Sequence, residues 1–113
     1  GYRLGVVSNC GREAVHGILS RFNLTGFFEL ILSRQDISRL KPHPESLKLA
    51  LQSLSLPPEQ VLFVGDSIND IIAADKTGMT ACFLPCGESR ITGFSAALNV
   101  HHMSRLSDLL NIL

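Results

Sequence analysis

Val61-Leu62-Phe63-Val64-Gly65-Asp66-Ser67-Ile68-Asn69-Asp70 decides the fold of this chain. Its four leading apolar residues read as a fully buried strand, and Gly65 permits a sharp backbone turn. Asp66 and Asp70 then fall four residues apart, where a helix begins. Strand ends of open parallel sheets are where α/β proteins place their ligands. Two carboxylates held together there repel unless a cation lies between them or one stays protonated. A hard divalent cation, Mg²⁺ first, resolves that conflict. A second reading stands beside it: Ser67 and Asp70 have the spacing of a capping box, in which the acid serves the helix start.

Outward from this stretch the pattern repeats. Leu4 to Val7 is a short apolar run ending in Ser8-Asn9, and Leu30-Ile31-Leu32 and Thr80 to Leu84 are two further strand-like runs. Between them, Val15, Ile18, Leu19 and Phe22 recur at helical spacing, as do Leu47, Leu51 and Leu54. Lys41-Pro42-His43-Pro44 is a stiff turn with Pro44 in the first turn of the second helix. Pro57-Pro58 ends that helix, and a third runs from Ile68 to Thr77 with Gly78 as its C-cap. Residues 85–99 read as irregular. Val100-His101 reads as a last short strand and Leu106 to Leu113 as a closing helix. Strands alternating with helices predict an α/β fold, a Rossmann-like parallel sheet with crossover helices, its strands covered on both faces.

Composition narrows the function classes. The 113 residues carry 10 basic and 10 acidic side chains and no basic stripe, which argues against a nucleic-acid partner. Apolar runs are too short to cross a bilayer. Gly1-Tyr2-Arg3 leads straight into a strand, which predicts no secretory leader. Cys10, Cys82 and Cys86 form no metal-like pair and read as reduced cytoplasmic thiols, Cys82 in the core and Cys86 in a loop.

In a parallel sheet the strand C-termini open on one edge, which gathers Ser8-Asn9, Lys41 and the Asp66–Asp70 pair there. A hydroxyl, backbone N–H groups, an ammonium and a metal-binding acid pair form a set suited to a phosphoryl group. Taken singly, Ser8 reads as a turn residue and Lys41 as a solvated lysine; together they are harder to explain that way.

These residues resemble three of the four motifs of haloacid dehalogenase-like (HAD) phosphatases. The second motif is matched by Gly5-Val6-Val7-Ser8-Asn9, the third by Lys41-Pro42-His43-Pro44 and the fourth by Gly65 to Asp70. Within the family the likeness is strongest to phosphoglycolate phosphatases, through Lys-Pro-His-Pro, Gly-Asp-Ser-x-Asn-Asp and Ala73-Ala74. The resemblance implies a Mg²⁺-dependent hydrolase of a small phosphorylated metabolite acting through an aspartyl-phosphate. It implies that Asp66 coordinates Mg²⁺, and that Asp70 binds it directly, through water, or by orienting the other ligands. Ser8 and the Asn9 N–H would hold the phosphoryl group, Lys41 would pair with phosphate and nucleophile, and Ser67 and Asn69 would act as cap or outer shell. The family's first motif, Asp-x-Asp, occurs nowhere in the chain. The expectation is therefore that residues 1–113 are the C-terminal part of an incomplete HAD-like core, inactive alone. Its partner would be the missing N-terminal half of the same protein, which carries the nucleophile and the substrate-selecting cap.

Cys10 has no paired base and His43 reads as a turn residue. His16 is expected on an exposed helix face. His101 and His102, adjacent in a strand, would point to opposite faces and make a poor metal pair. A dehalogenase needs no metal, which the acid pair argues against; a phosphomutase of the same superfamily stays open. So does a non-catalytic phosphate-binding or signalling domain. Receiver domains, however, order these groups acids, hydroxyl, lysine, whereas here the order is hydroxyl, lysine, acids.

Overall fold

A computed structural model describes residues 1–85 and 100–113, so Cys86 and the reading of the segment through residue 99 as irregular lie outside the described residues. The chain forms two units, Gly1–Ser55 and Leu56–Leu113.

In the first unit, β1 (Gly5–Val7) pairs in parallel with β2 (Leu30–Leu32), Val6 opposite Ile31. The crossover carries α1 (Arg12–Arg21), which buries Val15 and Leu19, one turn apart on one face. Gly11 offers α1 no side-chain cap; instead the Arg12 N–H donates to Gln35 Oε1 at 2.7 Å. After β2, α2 (Glu45–Leu54) buries Ser46, Leu47 and Ala50 and stops at Ser55 in the left-handed region, φ 54°. Arg3 grips both carboxylate oxygens of Glu29 at 2.7 and 2.8 Å and donates to the Leu54 carbonyl. Because Arg3 and Glu29 are exposed, this pair orients more than it stabilises.

The loop after β2 folds as a 3-10 turn, Arg34–Asp36. Asp36 Oδ2 accepts from the Ser33 N–H (2.9 Å) and hydroxyl (3.1 Å), and its Oδ1 accepts from Arg12 at 2.9 Å. The Ser33 backbone and hydroxyl bonds, then Arg12, hold the Asp36 carboxyl below its ordinary value. A depressed carboxyl contributes stability above its unfolded value and loses it as pH falls toward the folded one. Acidification through and below the ordinary aspartate range is therefore expected to loosen this turn. The Ser33 amide resonance should report an acid transition there that Asp36→Asn lacks; an identical transition in that variant would contradict the assignment.

In the second unit, β3 (Leu62–Gly65), β4 (Thr80–Phe83) and β5 (Val100–His102) form a parallel sheet in that order. α3 (Ile68–Thr77) crosses from β3 to β4 and ends at Gly78, whose φ of 82° requires glycine. Ile71, Ala73 and Ala74 of α3, Ala81, Cys82 and Phe83 of β4, and Met79 and Met103 make the core. Burial raises the Cys82 thiol above its ordinary value, so it stays protonated.

Two expectations are corrected. β3 is half-buried along its whole length, not fully buried: an apolar run suits a strand to burial but does not set how completely its neighbours cover it. Residues Leu106–Asn111 form a 3-10 helix, not the closing α-helix expected to Leu113. Leu106 and Leu110 stay 59% and 77% exposed, so no buried face repays nucleation of so short a helix. No helix among the described residues is long and apolar enough to cross a membrane.

Candidate functional site

The first unit brings Ser8, Asn9 and Lys41 together. Ser8 leaves β1 with its N–H on the Leu32 carbonyl at 3.0 Å, and its Oγ accepts the Cys10 N–H at 3.1 Å, which leaves the hydroxyl proton for a ligand. Asn9 and Lys41 clasp each other. Asn9 Nδ2 donates to the Lys41 carbonyl at 3.1 Å, and the Lys41 N–H donates to Asn9 Oδ1 at 3.2 Å. Lys41 Nζ donates to the Val7 carbonyl at 3.0 Å, which places the ammonium at the C-terminal end of β1. Lys41 is thus half-buried and tied down, unlike a solvated surface lysine. The Asn9 N–H takes no partner among the described residues. A hydroxyl, an uncommitted N–H and an ammonium around one three-residue turn are donors suited to an anion.

His43 is structural: its Nδ1 accepts the Glu45 N–H at 3.0 Å and so caps α2, while Glu45 Oε2 accepts from Ser38 and Arg39. The Lys41–Pro42 peptide is cis. His16 is exposed, as expected, and so is Cys10. His101 and His102 are both exposed, and the His102 ring meets Phe83 edge-on at 5.8 Å.

The second unit brings Asp66 and Asp70 to the end of β3. Asp70 is 7% exposed, and its Oδ2 accepts from the Asp66 N–H (3.1 Å), the Ser67 N–H (3.3 Å) and the Ser67 hydroxyl (3.1 Å). The Asp70 N–H in turn faces Ser67 Oγ at 3.4 Å, so the capping box exists. Asp66 is exposed, and its carboxylate takes no hydrogen bond or ion pair among the described residues. Gly65 is required by close approach: a Cβ there would overlap the Asp70 side chain, 2.7 Å from Cγ and from Oδ2. Gly65→Ala should therefore cost about 1–3 kcal/mol, the usual scale of overpacking. Urea unfolding measures it, and an unchanged midpoint would show that Asp70 moves aside freely.

Whether these acids fit Mg²⁺ turns on the donor set. Mg²⁺ is commonly held by one or two carboxylates, the rest of its shell being water and phosphate oxygens. An uncommitted Asp66 carboxylate beside a buried Asp70 matches that need. No group of three or more His, Cys, Asp or Glu side chains gathers among the described residues, so the pair does not form a closed metal cage.

Sequence reasoning missed the grip of the loop after β2 on this corner. Arg34 Nε donates to the Asn9 carbonyl at 3.1 Å and the Arg34 N–H to the Cys10 carbonyl at 2.9 Å. The Ser33-x-x-Asp36 spacing was legible as a capping box; its partners across the fold were not.

Parallel strands with crossover helices, a serine–lysine corner after β1 and an acid pair after β3 point to one class of protein. Residues 1–84 match the family of haloacid dehalogenase-like hydrolases, and the chain belongs to that family. It is 33% identical over all of its 113 residues to pyrophosphatase PpaX of Bacillus thuringiensis (strain Al Hakam), of which it spans 52%. Among solved structures it resembles a predicted phosphoglycolate phosphatase from Haemophilus somnus 129PT, with 33% identity and a TM-score of 0.87 over 99% of this chain and 50% of that one. It also resembles CbbY from Rhodobacter sphaeroides in complex with phosphate, with 25% identity and a TM-score of 0.84 over 96% of this chain and 49% of the other. The chain therefore spans about half the length of the curated relative it matches throughout.

Proposed function

We propose that this chain supplies the phosphate- and metal-binding part of a Mg²⁺-dependent hydrolase of small phosphomonoesters, similar to phosphoglycolate phosphatase and working in the cytoplasm. The observation that carries the reading is the turn after β1, where Ser8 Oγ, the uncommitted Asn9 N–H and the Lys41 ammonium meet. In this role Ser8 and the Asn9 N–H hold phosphoryl oxygens, and Lys41 leaves the Val7 carbonyl to neutralise the dianion and the charge that grows in the transition state. Asp66 and Asp70 hold Mg²⁺, which supplies charge neutralisation and orientation of the phosphoryl group. The aspartate that accepts the phosphoryl group belongs to an Asp-x-Asp strand outside these 113 residues, so the chain alone is inactive. Free thiols at Cys10 and Cys82 suit a reducing compartment.

The test is phosphate release from phosphoglycolate and p-nitrophenyl phosphate by a polypeptide that carries both this chain and an Asp-x-Asp strand. Hydrolysis that requires added Mg²⁺ is expected. No phosphate release, or release indifferent to chelation, contradicts the proposal.

A further inference from the structure

The loop after β2 brings a second cation to the turn that follows β1. With Nε on the Asn9 carbonyl at 3.1 Å, the Arg34 guanidinium is held against the Asn9 backbone, one residue beyond Ser8. Its Nη1 and Nη2 take no partner among the described residues, and the side chain is exposed. The acid of its own loop does not neutralise it: Asp36 directs Oδ1 to Arg12 and Oδ2 to Ser33. In the same unit, Arg3 is matched by Glu29. Arg34 therefore places a positive charge without a carboxylate partner next to the donors that suit a phosphoryl group. Its Nη1–Nη2 edge is the planar fork that fits a carboxylate or phosphoryl group through paired hydrogen bonds.

We propose that Arg34 determines substrate specificity by binding a second anionic group, carboxylate or phosphoryl, that the substrate carries close to the phosphoryl group held by Ser8 and Asn9. This rests on the phosphoryl-binding role given to those two residues above. A substrate whose second group is uncharged gains only the general attraction of the cation, without paired hydrogen bonds. One with two anionic groups bridges the Asn9 N–H and the guanidinium.

The experiment follows the Asn9 amide resonance of the 113-residue chain during titration with methyl phosphate, phosphoglycolate and pyrophosphate at constant ionic strength. The parent is expected to bind the latter two at least about tenfold more tightly than methyl phosphate, a difference of about 1.4 kcal/mol. Arg34→Gln should remove that advantage while weakening methyl phosphate binding far less than binding of the other two, and Arg34→Lys should keep part of it. Loss of the advantage for phosphoglycolate alone assigns the second group as carboxylate; loss for pyrophosphate alone assigns it as phosphoryl. An advantage that survives in Arg34→Gln overturns the proposal. So does an equal loss for all three ligands, since that marks a residue that only braces the turn. A parent whose Asn9 amide ignores methyl phosphate overturns the phosphoryl-binding role of the corner as well, which separates the two failures.

Discussion

Asp66→Asn is expected to remove nearly all Mg²⁺-dependent turnover from a polypeptide carrying this chain and an Asp-x-Asp strand, a loss of at least about a hundredfold, or roughly 3 kcal/mol of transition-state stabilisation. The carboxylate is exposed at the end of β3 and makes no bond that the fold needs. Asparagine keeps its size and one acceptor oxygen but removes the charge that holds a hard cation. The fold should survive: without metal the variant should unfold at the same urea concentration as the parent, or slightly higher, because repulsion from Asp70 is relieved. Activity and unfolding must therefore separate. Near-normal turnover in Asp66→Asn would remove the acid pair from the chemistry. Loss of both activity and fold would make Asp66 structural.

The second large effect is expected at Lys41. Lys41→Ala removes the ammonium at the C-terminal end of β1 while leaving the backbone clasp with Asn9, which uses only the Lys41 N–H and carbonyl. A fixed charge aimed at a dianion is worth about 10²–10³ in kcat when deleted, the scale found for single preorganised donors. Cys10→Ser and His43→Ala should each change kcat less than about threefold, since the Cys10 thiol is free and His43 caps α2. His43→Ala instead loses about 1 kcal/mol of stability, the usual worth of a cap. If Cys10→Ser abolished turnover while Lys41→Ala did not, the chemistry would have to be reassigned to the thiol.

How much of this was legible in the sequence depended on the range of each interaction. The strand, turn and helix from Leu62 to Thr77 could be read directly, because apolar run, Gly65, capping box and Gly78 are all local signals. β2 and β4 followed from apolar runs in the same way. Burial of β3 could not be read so, since it depends on how completely neighbouring elements cover the strand. The closing segment failed for a related reason: Leu106 and Leu110 have helical spacing but stay exposed. At the candidate site the sequence indicated Ser8, Asn9, Lys41, Asp66 and Asp70. It could not show that Lys41 rests on Val7, 34 residues away, or that Arg34 reaches Asn9 across 25. Those contacts exist only once β1 and β2 lie side by side.

The most direct measurement of the central claim is turnover of p-nitrophenyl phosphate with Mg²⁺ by this chain alone, and again after a polypeptide bearing the Asp-x-Asp strand is added. The account predicts no turnover by the chain alone and measurable turnover on addition, lost in Lys41→Ala. Turnover by the purified chain alone at an ordinary enzymatic rate, on the order of 10 s⁻¹, would contradict it.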